Sequence, residues 1–207
     1  MNNRIESDDP SLPVLILGAG GHAGILVDAL QSAGVKIIGL TDIHPEKKLP
    51  VFGVPVIGHE DMVKDYSPDR VRLVNAVGSE RSMLGRAGLY ERFKALGYTF
   101  ASVVHPSAII SPRAFLDEGV QIMAGAVLQA GCHIGENSLV NTNASVDHDC
   151  IIGAHVHLAP GVTLSGNVTV ADRVHIGTGA SIIQKISIGS DSLIAAGAVV
   201  TKNVPEN

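Results

Sequence analysis

The 207-residue chain is 45% hydrophobic but only 3% aromatic, with 23 glycines and no tryptophan, a mixture suited to thin layers of small aliphatic side chains rather than a bulky aromatic core. Its formal net charge is −5 and no run of Lys or Arg exceeds two, which argues against nucleic acid and anionic membrane surfaces as partners. The opening MNNRIESDDP lacks the basic and apolar regions of a secretion signal, no apolar run reaches membrane-spanning length, and two cysteines make no disulfide framework, so a cytoplasmic protein is expected.

Residues 1–11 are expected to be a disordered tail and 12–102 an α/β domain. LPVLILGAGGHAGILVDALQSAGVKIIGLTD reads as strand, Gly-rich turn, helix and strand. Val14 to Leu17 form the first strand. Ile25, Leu26, Ala29, Leu30 and Ala33 give one helical face, and Gly34 ends the helix. VKIIGL is the second strand, with Asp42 just past its end. RVRLVNAVGSERS is a third strand entering a loop and a second helix, whose buried face is Leu89, Phe93 and Leu96 before Gly97 stops it. The pattern is one Rossmann-like nucleotide-binding half rather than a full dinucleotide fold.

Gly18, Gly20, Gly21 and Gly24 surround the first helix's N-terminus, where bare amides and the helix dipole favour phosphate. Ala23 fills the third place of G-x-G-x-x-G/A only loosely, and Asp42 fits the acidic residue expected about 20 positions on. Simple strand–helix packing is the alternative role for these glycines. His22 is a candidate phosphate or sugar contact, and Gly78 and Ser79, with Arg81 near, form a candidate second phosphate-facing loop.

From 103 to 207 the pattern changes. An aliphatic residue recurs every sixth position from Val104 to Val200, seventeen times in seventeen; at the chain's hydrophobic share, chance gives this about once in a million trials. Two residues before each sits Ala, Ser, Cys or Val, with Ile186 the exception, and Gly follows at Gly135, Gly153, Gly177 and Gly189. A hexapeptide period means a parallel β-helix, each coil 18 residues around three sides. Cys132 and Cys150 lie 18 apart at the small inward position and are expected to stack as filler.

The strand-GAGGHAG-helix start, the junction VVHPSAIISP, and the hexads NTNASVDHDCIIG and HVHLAPGVTLSGN together closely resemble the bacterial nucleotide-sugar acyltransferases of the PglD and NeuD type, from residue 13 to 204. That resemblance implies a left-handed β-helix, a homotrimer with active sites between subunits, and N-acetylation by acetyl-CoA of a nucleotide-linked 4-amino-4,6-dideoxy sugar in glycan biosynthesis. It implies His148 as general base with Asp149 as its carboxylate. It also implies Asn141 and His157 lining the acceptor pocket, and Gly166 supplying an oxyanion amide. Coenzyme A contacts are implied for Gly177, Ala195 and Lys202, and Gly18, Gly20, Gly21, His22, Asp42, Gly78 and Ser79 hold the nucleotide sugar. Such relatives usually continue into a short Pro-containing tail over the coenzyme, so a more open coenzyme site or a shortened chain is expected.

The chemistry suits these residues. Acetyl transfer to an amine needs a base, an oxyanion donor and two substrates held close. His148 falls two past Val146, near a corner where its ring projects outward, and Gly166, 18 later, stacks on the same corner. His157 is half a coil away and meets His148 only across a subunit boundary. Inward-facing Cys150 is a poor nucleophile, so direct transfer is expected. O-acetylation of a sialic-acid-type sugar, or a non-catalytic nucleotide-sugar scaffold, are the alternatives. A zinc hydratase using His148, His155 and His157, and an NAD-linked oxidoreductase, are weaker rivals; no metal is expected. His155 and His175 read as solvated strand positions.

Overall fold

The structure, a computed structural model, describes residues 11–78 and 82–207. Residues 1–10 of the expected tail, and Ser79 and Arg81 of the expected phosphate-facing loop, lie outside the described residues. Four parallel strands, β1 (Val14–Leu17), β2 (Ile37–Thr41), β3 (Val56–Gly58) and β4 (Arg72–Asn75), lie in the order β3-β2-β1-β4. Helix α1 (Gly21–Ser32) follows β1, and α2 (Leu84–Ala95) follows β4. The VLIL of β1 is apolar throughout because both faces of a parallel sheet are covered. Val14 and Ile16 pack with α1, while Leu15 and Leu17 pack with Tyr90, Phe93, Tyr98 and Phe100.

Both helices are rotated from their expected faces. α1 buries Ala23, Leu26, Val27, Ala29 and Leu30, leaving Ile25 and Ala33 exposed, because it faces the sheet and also Val103, Met123 and Leu139 beyond the domain. α2 buries Arg86, Ala87, Tyr90 and Phe93 and exposes Leu96, since it is wedged between the sheet and a corner of the β-helix. β3 was not foreseen: three residues are too few for a periodic pattern.

Seventeen two-residue strands, from Val103–Val104 to Val199–Val200, form a three-sided prism. Each pairs in parallel with the strand 18 residues on, giving sheets of six, six and five strands. The first face carries the strands starting at Val103, Gln121, Leu139, His157, His175 and Leu193. The second carries those from Ile109 to Val199, and the third those from Phe115 to Ser187. The periodic aliphatics and the small residues two before them fill one continuous core. Val104, in the first coil with no coil beneath it, keeps 39% exposure. Cys132 and Cys150 are buried and free.

A second periodicity accompanies the first. At all fourteen corners from Gly119 to Gly197 the residue three past the inward aliphatic has left-handed backbone, six times as Gly and eight times as another residue. Asn and Asp, which tolerate this conformation, hold five of those eight positions, Asp149 among them. Arg173 is fastened to Asp191 one coil on, at 2.8 and 2.7 Å, and His155 to Asn137 one coil before, at 2.9 Å.

The α/β domain docks on the first face and on the edge between the third and first faces. Val103, Gln121 and Leu139, which point outward from the first face, are each at most 2% exposed. At the third–first edge Lys94 reaches Glu118 at 2.8 and 2.9 Å, and Tyr90 donates to Glu136 at 2.9 Å. A Cβ on Gly119 would lie 2.9 Å from Phe100, so a glycine lets the two domains close.

Candidate active site

The strand order reverses beside β1, and the crevice past the ends of β1 and β4 is where open α/β sheets place ligands. Gly18 lines it with φ +102°, and a Cβ there would stand 3.3 Å from the backbone of Ala76 after β4; close packing explains this glycine. Gly20, the N-cap of α1, and Gly21 are different. A Cβ on either would meet nothing within 4 Å, and among the described residues neither N–H has a backbone acceptor, at the helix's positive end where an anion is favoured. Gly78 lies across the crevice, equally open.

Asp42, just past β2, braces this turn. Its carboxylate accepts the Ala19 amide at 3.2 Å and the His44 amide at 2.9 Å, with Lys48 Nζ 3.4 Å away. Burial works against its charge, but the His44 and Ala19 amides and Lys48 outweigh that and hold its pKa below the usual carboxylate value. Lys48, which also lies 3.4 Å from the Ala19 carbonyl, is a cation at the crevice that no sequence pattern marks.

The second cluster sits on the edge between the second and third faces. His148 Nδ1 lies 2.9 Å from Asp149 Oδ2, and both side chains are more than half exposed. Left-handed backbone at Asp149, φ 59°, turns its carboxylate back toward the preceding coil, into space a side chain on Gly131 would fill. The His148 ring lies over Gly166: a Cβ there would stand 2.5 Å from Nε2 and 2.6 Å from Cε1. The Gly166 N–H has no acceptor among the described residues. The Asp149 hydrogen bond is the main cause that raises the His148 pKa above its ordinary value, with Asp147 adding to it. A groove of about 610 Å³, lined by Pro112, Arg113, Phe115, Ala130 and Gly131, opens beside the pair.

The remaining expected residues fall elsewhere on the same prism. Asn141, Gly177 and Ala195 line the first–second edge, with His157 beside them on the first face. Asn141 and His157 meet at 3.2 Å, and the His157 ring stands edge-on to His175 at 4.8 Å. Lys202 shares the second–third edge with His148 and Gly166, three coils past His148.

His155 and His175 are not solvated strand positions. His155 is 5% exposed, bonded to Asn137 and packed edge-on against Tyr90, so it seals the domain junction. His175 is half-buried beside His157. Burial lowers the pKa of both. Among the described residues no three His, Cys, Asp or Glu side chains are grouped as a metal site would need.

Two residues at the junction were missed by sequence reasoning. Gln121, fully buried on the first face, links His22 at 2.8 Å to the Asn75 carbonyl at 2.7 Å. Arg86, 1% exposed, donates to the carbonyls of Asn137, Asn75 and Val77 at 3.1, 2.8 and 3.0 Å. Among the described residues its Nη2 has no partner, and burial lowers its pKa to about 9.

The family model for the PglD N-terminal domain matches residues 13–84, and that for the bacterial transferase hexapeptide matches 131–166. Among solved structures, the chain is similar to a histidine-to-asparagine mutant of perosamine N-acetyltransferase from Caulobacter crescentus in complex with CoA and GDP-perosamine. The two are 35% identical over 94% of this chain and 91% of that one, with a TM-score of 0.86. It is also similar to the acetyltransferase domain of PglB from Neisseria gonorrhoeae in complex with acetyl coenzyme A, at 35% identity, 93% and 92% coverage and a TM-score of 0.86. WeeI from Acinetobacter baumannii, 24% identical over 95% of each chain at a TM-score of 0.83, shares the fold.

Proposed function

The chain belongs to the PglD-type bacterial sugar acetyltransferases, built from an α/β domain and a left-handed hexapeptide β-helix, and from that membership we propose that it moves an acetyl group from acetyl-CoA to the 4-amino group of a nucleotide-linked 4-amino-4,6-dideoxy sugar. The observation that supports this best is the column on the second–third edge: Asp149 beneath, His148 in the middle, and an unsubstituted Gly166 directly above the Nε2 atom.

With Nδ1–H donated to Asp149, Nε2 carries the lone pair. It takes the proton from the sugar amine as nitrogen attacks the thioester carbonyl. The Gly166 amide supports the oxyanion that forms. Collapse breaks the C–S bond, and the proton held by His148 passes to the departing thiolate. Asp149 orients the ring and stabilises its protonated state. The groove below His148 suits the acceptor sugar, and the Gly166 side suits the pantetheine arm. Cys132 and Cys150 are shut inside the prism and burial raises both thiol pKa values, that of Cys132 to about 11, so transfer is direct, within a ternary complex.

The working assembly is a homotrimer. The acceptor-binding turn rides on the first face, whereas His148 stands on the edge opposite that face. Asn141 and His157 likewise lie on a different edge from His148. One chain therefore holds both halves of a site facing away from each other, and a neighbouring chain supplies the missing half.

The test is free-thiol release from acetyl-CoA with a panel of UDP-, dTDP- and GDP-linked 4-amino-4,6-dideoxy sugars, with His148→Ala in parallel. Turnover with one acceptor that collapses in the variant is the expected result. Thiol release that survives the substitution would move the base elsewhere, and silence with every amine would transfer the weight to a hydroxyl acceptor or a scaffold.

A further inference from the structure

His22 is the second residue of α1, at the mouth of the acceptor crevice, but its ring is fastened to the other domain: Nε2 lies 2.8 Å from Gln121 Oε1. Which nitrogen carries the proton follows from Gln121. The side-chain amide of Gln121 donates through Nε2 to the Asn75 carbonyl at 2.7 Å, and a carbonyl only accepts. The amide's orientation is therefore settled, its oxygen faces His22, and the histidine nitrogen meeting it must carry a hydrogen. In the neutral ring, Nδ1 is then bare. Among the described residues nothing donates to that Nδ1 atom.

The ring is also kept neutral. Burial disfavours the imidazolium, the Gln121 bond works the other way, and Arg86 adds to the lowering. Among the described residues, Arg86 is the charged group that bears on the ring, and the positive end of α1, with no acidic residue in its first turn, acts in the same direction.

We propose that Gln121 is a positioning residue that holds His22 in its Nε2–H tautomer, so that the crevice meets its ligand with a bare Nδ1, an acceptor for a hydroxyl of the nucleotide sugar rather than a contact for phosphate. This rests on the acceptor-site reading above, and it divides the labour at the turn. The open amides of Gly20 and Gly21 suit the diphosphate, while His22 reads a donor group on the sugar or ribose. Gln121 belongs to the prism, so the ligand contact is preset by the way the two domains dock.

Protein labelled with ¹⁵N at its histidine rings decides the tautomer directly, the His22 signals being assigned with His22→Gln. The expected spectrum shows Nε2 protonated and Nδ1 bare at and above the ordinary histidine pKa of about 6.5, with the ring titrating or averaging between tautomers in Gln121→Leu. That variant leaves the Asn75 carbonyl its Arg86 donor at 2.8 Å. A proton on Nδ1, titration near the ordinary value in the wild type, or an unchanged spectrum in Gln121→Leu would each overturn the proposal. With the acceptor identified from the sugar panel, Gln121→Leu should raise its KM about tenfold, the loss of one well-aligned hydrogen bond, with kcat within about threefold. An unchanged KM beside an altered tautomer would overturn the ligand half. A wild type without turnover on any amine would sink the N-acetyltransferase reading, while the spectrum still decides the tautomer.

Discussion

Gly166→Ala isolates the geometry of the proposed base. A methyl at this position would stand 2.5 Å from His148 Nε2, 2.6 Å from Cε1 and 3.1 Å from Cδ2. Ordinary carbon contacts need about 3.5–4.0 Å, so the ring must retreat by roughly 1 Å or more. A misplacement of that size at a reacting atom costs about 100-fold in rate, and kcat/KM should fall accordingly. The backbone has no reason to object. Gly166 is absent from the positive-φ residues, and the equivalent positions along the same edge carry His148, Gln184 and Lys202. Stability should therefore change by no more than about 0.5 kcal/mol, a shift in Tm of about 1–2 °C for a chain of this length. Steady-state thiol release beside a thermal melt reads both quantities. A folded Gly166→Ala enzyme within threefold of wild-type kcat/KM would mean that the ring does not lie over Gly166 during turnover, and the assignment of base and oxyanion donor would fail with it.

Asp149 raises the His148 pKa, and the base works only when neutral, so wild-type kcat/KM should fall as pH drops through a value above the ordinary 6.5. Asp149→Asn should move that acidic limb downward and lower the plateau roughly tenfold to hundredfold; a limb that stays in place would assign it to another group. Cys150→Ala should remain active and sequential in its kinetics, with no acetylated protein in intact-mass spectra after incubation with acetyl-CoA alone, whereas a stable acetyl adduct would replace direct transfer by a covalent route. Arg86→Met strips donors from the carbonyls of Asn75, Val77 and Asn137, and should cost about 2–4 kcal/mol, seen as a fall in Tm of several degrees. An unchanged melt would show that water already serves those carbonyls.

The prism was legible because its rule is local and unbroken: every aliphatic from Val104 to Val200 keeps its register with no insertion. The left-handed corner position escaped notice because its residues are mixed. His155, Arg173 and Lys185 share it with Gly, Asn and Asp, and only the Gly-rich places stand out in a sequence. Arg86 was invisible for a different reason. An arginine on an amphipathic helix reads as solvent-facing, and nothing local announces that the prism will cover it. Gln121 sits 99 residues from His22 and 46 from Asn75; its role exists only once two domains meet. The His148–Asp149 pair was legible through resemblance to a family, whereas its placement over Gly166 follows from the 18-residue coil.

That coil also limits what one chain can do. Residues 18 apart form a column on one edge, so a periodic prism readily places Asp149, His148 and Gly166 in line, yet the same regularity holds Asn141 and His157 on a different edge. If the site is completed between chains, its two halves are genetically separable. His148→Ala and Asn141→Ala should each be inactive as homotrimers. Random trimers from their co-refolding should regain activity, because an interface can then pair an intact His148 from one chain with an intact Asn141 from the next. For equal mixing that pairing occurs at about one interface in four. A site built within one chain would regain none, since no chain in the mixture carries both residues. Recovery near a quarter of wild-type activity, appearing only after subunits exchange, would establish the shared site, and mixed trimers with no activity would refute it.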